Sequence, residues 1–319
     1  MKTQWELSYY IAPIGWNGKR LTFDEKKANE EFRTLREAGV RWAGFNGAGS
    51  IEKAAFDFPA AVSSISTMMR DHGIRLSSFH YAGPTIADPA GSQERVRETM
   101  FKDIATFAPW RPKAFVVHPW WPLIRAAGDP LGLKPYWLWT RRRGFETLIE
   151  TIAGNLKLMA KAAARHSIRL ALETMGKFAP PPGKYLPRLV ELIDEPNVGY
   201  CLDAGHVHAC GESVVEWVRR CGGKLFETHF HDNRGLGAGE KGAFIRPKDY
   251  DEHLSPGLGT IPWIDVINAL VATKFQGPVT FETSGWPHMV PSEGYAHAIA
   301  WWRTCEAVAK EKRGKGGCH

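Results

Sequence analysis

The feature that most restricts this chain is a rhythm. Eight short β-rich runs alternate with longer segments of helical period: "WELSYYI", "VRWAGFN", "IRLSSFH", "KAFVVH", "IRLALET", "VGYCLD", "KLFETHFHD" and "PVTFETS". Helical periodicity follows them near residues 24–39, 53–72, 92–108, 142–166, 184–194, 212–221, 262–274 and 292–311. A strand that must reach a parallel neighbour needs a crossover of this length, so the pattern predicts βαβ units and a parallel sheet. Eight units predict an α/β fold of the (β/α)8 TIM-barrel kind. The open doubly wound alternative announces itself by a glycine-rich phosphate turn after the first strand. "IAPIGWNGK" lacks that fingerprint. In "EAGVRW" and "DHGIRL", Gly39 and Gly73 are placed to take the left-handed conformation that closes a helix before the next strand.

With 319 residues, 44% hydrophobic and 24% charged, the chain can bury one large core. Residues 1–310 read as a single barrel domain and 311–319, "EKRGKGGCH", as a flexible basic tail. Five cysteines form no C-x-x-C pair, which argues against a disulfide framework and a cysteine zinc site and fits a reducing cytoplasm. No stretch reaches the roughly 18 apolar residues of a membrane span, and the N-terminus has no uninterrupted apolar run of the secretory kind. The net charge of +7 permits a phosphorylated or nucleic-acid partner without requiring one.

The residues at the C-terminal ends of the strands carry the chemistry. His80 closes the third run, His118 the fourth, Glu173 the fifth, Asp203 the sixth, His229 the seventh and Glu282 the eighth. Each is a metal-ligand type, and in a barrel these ends converge on one mouth. Carboxylate and imidazole without thiolate suit Mn(II), Mg(II), Co(II) or Zn(II). A cation also offsets the cost of gathering Glu173, Asp203 and Glu282 in one low-dielectric place. Two connections exceed ordinary linkers, one after the fourth strand and one after the seventh, and long loops on this face grip substrates.

"LALETM", "CLDAGHVHACG", "HFHDN", "DEHLSPGLGTIPW" and "PVTFETS", in this order, resemble the xylose-isomerase-like barrel superfamily of sugar isomerases, ketose 3-epimerases and endonuclease IV repair enzymes. The resemblance implies one divalent ion held by Glu173, Asp203, His229 and Glu282. In "HFHD", the H-x-x-D spacing to Asp232 selects His229, with His231 in reserve. It further implies that His206 binds substrate oxygens, and it matches Arg234 loosely to an arginine after the seventh strand; the chemistry of such a site makes Glu173 and Glu282 acid and base, with His80, His118 and Trp120 as further candidates around a carbohydrate substrate. The activity implied is isomerisation or epimerisation of a ketose or sugar phosphate through an enediolate, with dehydration or C–O lysis as the alternative on the same site.

Two other readings compete. Endonuclease IV enzymes hold three zinc ions with nine ligands, and His80, His118, Glu173, Asp203, His206, His229, Asp251, His253 and Glu282 match them by type. That makes His231, Asp251 and His253 candidates for additional metal. Against abasic-site DNA repair stand the proline-rich "TMGKFAPPPGKY" after the fifth-strand glutamate and the lack of an interleaved basic and aromatic strip. The other reading is a sugar-binding barrel without turnover. Of 13 tryptophans, Trp120, Trp121, Trp137 and Trp139 cluster in the fourth-strand loop, where they suit a sugar lid or a homo-oligomer contact.

Overall fold

The fold is that of a computed structural model, and it describes residues 4–16, 21–46, 54–81, 86, 93–119, 144–175, 182–235, 251–283 and 291–315. Eight parallel strands form the barrel: β1 (Leu7–Ile11), β4 (Trp42–Asn46), β5 (Arg75–Tyr81), β6 (Ala114–Val117), β7 (Arg169–Glu173), β8 (Val198–Asp203), β9 (Leu225–His229) and β10 (Val279–Phe281). Neighbours pair in sequence order, and β1 also pairs with β10. The ring closes between β9 and β10 through a bridge from Phe230 to Phe281, where Phe230 N donates to Thr280 O and Glu282 N to Phe230 O.

Helices α1 (Glu25–Glu37), α2 (Phe58–His72), α3 (Gln93–Phe107), α4 (Phe145–Ala164), α5 (Leu186–Ile193), α7 (Val214–Cys221), α8 (Trp263–Ala272) and α9 (Pro291–Lys315) surround the strands. Their ends follow local chemistry. The Asp24 and Asp57 carboxylates accept from Lys27 N and Ala60 N at the starts of α1 and α2. Gly39 and Gly73 adopt φ of 76° and 65°, the left-handed closures expected of them. The final helix runs through Lys315, past the boundary at 310 that the sequence suggested. Among the described residues, no helix is long and apolar enough to cross a membrane.

Two elements went unread in the sequence. A small antiparallel hairpin, β2 (Ile14–Trp16) and β3 (Leu21–Phe23), stands between β1 and α1. A six-residue helix, α6 (Ala204–Ala209), springs directly from β8. The main apolar core lies between strands and helices and includes Phe32, Phe79, Leu156, Leu189, Val266 and Trp302. Small residues Ala114, Val116, Ala171 and Cys201, with Phe226, make a separate buried cluster. Ala171 and Cys201 share the inward face with Glu173 and Asp203 by the two-residue period of a strand, so the chain keeps small side chains directly beneath its ionisable ones.

Candidate metal centre

All six strand-end residues arrive at one mouth. His80 lies in β5, His118 one residue past β6, Glu173 and Asp203 at the last positions of β7 and β8, His229 at the end of β9, and Glu282 one residue past β10. Their donor atoms fall into groups in which every member is within 4.8 Å of the others: Glu173, Asp203, His229 and Glu282 form one, and His80, His118 and Glu173 another. A third group joins His206, His231, Asp251 and His253. Glu173 belongs to two of the three.

The Glu173 carboxylate is the centre. Its Oε2 lies 2.8 Å from His118 Nε2, 3.2 Å from His80 Nε2 and 3.6 Å from His229 Nδ1, and its Oε1 is 3.2 Å from His206 Nδ1. Burial alone would raise this carboxyl, but His118, His206 and His80 outweigh it and hold it well below the usual carboxylate range. Burial pushes His118 down, toward its neutral form, against the opposing pull of Glu173. Glu282 is likewise opposed by burial, yet His229, 2.9 Å away, and then His253 bring it to about 2. The side chain of Glu173 is 1% exposed and that of Glu282 18% exposed, so one carboxylate is sealed in and the other faces the opening.

The third group depends on local folding. Asp203 caps α6 by accepting from His206 N at 2.7 Å, which places His206 one turn beyond the strand. Its Oδ1 also lies 3.0 Å from His231 Nε2. The His231 ring occupies the space above Gly205, where an added Cβ would stand 1.9 Å from the ring. Asp251 and His253 are brought in by the antiparallel bridge between Asp232 and Leu254, with backbone hydrogen bonds of 2.7 and 3.1 Å. His253 Nε2 lies 3.0 Å from Asp251 Oδ1, and its ring stacks on His231 with centroids 4.0 Å apart.

Asp232 holds this arrangement without facing it. Its fully buried carboxylate accepts from Asn233 N and Ile261 N on Oδ1, and from Gly257 N and Trp263 Nε1 on Oδ2. Gly259 lies against it so closely that a Cβ would meet Oδ1 at 2.3 Å.

Several of these atoms are close to one another without being hydrogen-bonded. His206 Nδ1, both ring nitrogens of His229, His231 Nε2 and Asp203 Oδ2 are buried with no hydrogen-bond partner. Carboxylates stand within 3.6 Å of several, so proximity is present and alignment is not. Such atoms are costly to bury unpaired. Imidazole and carboxylate heads converging without bonding each other fit divalent-cation ligation.

The remaining expectations divide. His229 and His231 share one face of the chain as the two-residue period requires, but they join different groups. The Arg234 guanidinium is exposed, and both its Nη1 and its backbone N–H engage the Glu252 carboxylate, so it stands outside the cluster. His208 turns away to Thr260 Oγ1. Trp120, Trp121, Trp137 and Trp139 lie outside the described residues.

Tyr10, near the end of β1, escaped the sequence reading. Its ring lies edge-on to His229 and His80 with centroids 4.8 and 5.8 Å away, and Gly44 makes room for it. Extending the strand-end reading to the first strand, beyond metal-ligand types, would have found it.

A family model described as "Xylose isomerase-like TIM barrel" matches residues 32–305. The chain belongs to this family. Among curated relatives of this xylose isomerase-like barrel are an uncharacterised protein, y4fM, of Sinorhizobium fredii, 30% identical over 42% of this chain and 40% of its own length, and the uncharacterised MJ1311 of Methanocaldococcus jannaschii, 27% identical over 42% of this chain and 43% of its own. The match thus spans about two fifths of either relative. Among solved structures, L-ribulose 3-epimerase superposes with a TM-score of 0.68 at 14% identity, covering 98% of each chain. The 3-keto-D-glucoside 4-epimerase of E. coli does so at 0.68 and 16%, covering 95% of this chain and 100% of its own. At these identities the likeness speaks for the fold.

Proposed function

We propose that this xylose isomerase-like barrel is a divalent-metal-dependent isomerase or epimerase of a ketose or sugar phosphate, working through an enediolate with Glu173 and Glu282 as acid and base. One observation carries the reading: two glutamates from different strands end in a single four-residue ligand group, one sealed and one open to the mouth. A divalent cation held by Glu173, Asp203, His229 and Glu282 would supply Lewis acidity toward a carbonyl and its neighbouring hydroxyl.

The chain's own groups account for the proton. Glu282, ionised at neutral pH and reachable from the mouth, can accept a proton from the carbon beside the carbonyl. Glu173 can exchange protons with His118 Nε2, 2.8 Å from its Oε2, because burial favours the neutral imidazole, which has room for one. His80 Nε2 is 2.7 Å from His118 Nε2 and extends that path. Return of the proton to the former carbonyl carbon, with a hydroxyl proton moving to the other oxygen, gives isomerisation, and return to the original carbon from the opposite face gives epimerisation. The sugar epimerases among the structural neighbours agree with a small carbohydrate substrate.

The test is proton NMR of the Mg(II)-loaded protein in deuterated water with a panel of free and phosphorylated ketoses. Loss of the C–H signal beside the carbonyl supports enolisation and identifies the carbon. Absence of exchange across the panel removes the proposal.

A second reading has its own observation. Two of the three ligand groups share Glu173 and the third adjoins them through His206, whose Nδ1 is 3.2 Å from Glu173 Oε1, an arrangement suited to several zinc ions and to phosphodiester hydrolysis of the endonuclease IV kind. Zinc-loaded protein that nicks abasic-site DNA while exchanging no ketose proton would transfer the assignment to that reading.

A further inference from the structure

The opposite face of the barrel carries a second concentration of chemistry. A cavity of about 690 Å³ opens where β4, β5 and β6 begin, beside the C-terminal end of α2. Arg75 on its wall and His80 at the metal centre are five positions apart on β5, about 17 Å at about 3.3 Å per residue. The cavity is therefore separate from the mouth.

Four cations line it: Arg70, Arg75, Arg111 and Lys113. Among the described residues, no acidic residue does. Two of them lie over one aromatic ring. The Arg75 guanidinium lies 4.0 Å and Lys113 Nζ 3.7 Å from the centroid of the buried Trp42 ring. Glu6 fixes this pair from the side, accepting from Trp42 Nε1 at 2.8 Å and from Arg75 Nη2 at 3.1 Å. Among the described residues, neither Lys113 nor Arg111 has a carboxylate within salt-bridge distance. Partial burial, opposed by Glu6, and the nearby cations Arg75 and Arg169 lower the Lys113 pKa. Arg111, between Trp110 and Pro112, sits at φ 53°, a left-handed conformation uncommon for a side chain of its size. Apart from Ser66 and Gly73, the rest of the wall is apolar or aromatic, including Met69, Ile74, Leu76, Pro109 and Trp110.

We propose that this cavity is a binding site for a small phosphate ester carrying a flat apolar body, the class a nucleoside diphosphate represents. Glu6 pairs directly with Arg75 alone among the four cations, so their like charges are only partly offset and repel one another, and an anion with several charges relieves them together. Arginine forks suit phosphate oxygens bidentately, and Lys113 adds a point charge. The apolar wall accounts for the second half of the ligand, because it gives a ring a surface to leave water against. The proposal is independent of the reaction at the mouth.

Calorimetry on chelator-treated full-length protein tests it with ADP, pyrophosphate and inorganic phosphate as probes. ADP is expected to bind most tightly and phosphate least, with affinity falling as salt rises. Lys113→Gln and the exposed Arg111→Gln are each expected to weaken ADP about tenfold, the equivalent of one charge-assisted contact. Glu282→Gln, at the mouth, is expected to leave ADP binding unchanged. Equal affinity of ADP for the Arg111→Gln/Lys113→Gln double variant, loss of binding in Glu282→Gln, or no binding of any probe at millimolar concentration would each overturn the proposal. A thermal melt of each variant separates a lost contact from a lost fold.

Discussion

Replacing Asp232 by Asn should loosen one wall of the candidate metal centre while altering none of its candidate ligands. The carboxylate accepts four hydrogen bonds, two on each oxygen, from Asn233 N, Ile261 N, Gly257 N and Trp263 Nε1, at 2.8 to 3.2 Å. An amide keeps one acceptor oxygen. If that oxygen stays with the two backbone donors on the Oδ1 side, the amide nitrogen faces Gly257 N and the Trp263 indole, donor against donor. Leaving a buried donor unsatisfied costs about 1–3 kcal/mol, so two such donors imply roughly 2–4 kcal/mol after partial relaxation. At about 2.1 cal/mol/K of unfolding entropy per residue, a chain of 319 residues loses roughly 1.5 °C per kcal/mol, so the melting temperature should fall by about 3 to 6 °C. The same segment brings in Asp251 and His253 through the bridge to Leu254, so cation affinity at the third group should fall as well. Scanning calorimetry and metal titration of wild type and Asp232→Asn measure both effects. A melting shift under about 1 °C with unchanged metal affinity would refute the view that this carboxylate anchors the wall.

Gly205→Ala should displace the His231 ring, since a Cβ there would stand 1.9 Å from it; histidine NMR signals and metal stoichiometry would register the change, and an unmoved His231 would contradict the packing argument. Glu173→Gln and Glu282→Gln should each abolish turnover, with Glu173→Gln disturbing more histidine signals because four imidazoles lie against that carboxylate. In chelated protein, His229 and His253 are each raised to about 9, against a burial effect that lowers them, chiefly by Glu282 and Asp251 respectively. Their contribution is therefore full below about pH 6.5 and lost as pH rises through about 9, whereas that of Glu282, lowered to about 2, is full above about pH 4.3 and lost on acidification through about 2. Urea unfolding across pH should show a plateau between those limits, with the alkaline loss shrinking once a divalent cation occupies the imidazoles.

The barrel was legible because all eight strands carry their own apolar runs and helical crossovers separate them. The hairpin β2–β3 was not, because three-residue strands make no run; the Asn17-Gly18 dipeptide between them was the available signal. Helix α6 is six residues long and contains a glycine, so only the capping role of Asp203 could have announced it. At the site, strand-end positions pointed directly to six residues whose side chains the fold brings together. Asp251 and His253 were found only as a D-x-H motif, since an antiparallel bridge in a connecting segment places them. Arg234 was carried over from a family spacing, yet its backbone N–H turns toward Glu252 and its side chain follows.

Glu173 explains why the sequence narrows the chemistry without choosing one reaction. In a single-metal reading it is one of four ligands and half of an acid–base pair. In a multi-metal reading the same carboxylate bridges neighbouring groups, as its two oxygens, directed at different sets of imidazoles, allow. Substitution of Glu173 removes both possibilities together and separates nothing. The discriminating residues lie at the periphery: His253 belongs to the third group alone, and His80 to the second. Loss of ketose exchange on removing Glu282, with exchange surviving removal of His253, fits one working cation and a flanking group that shapes the mouth. Equal loss on removing Glu282, His253 and His80, one from each group, fits a shared multi-cation centre, because there each group completes the charge on the same substrate.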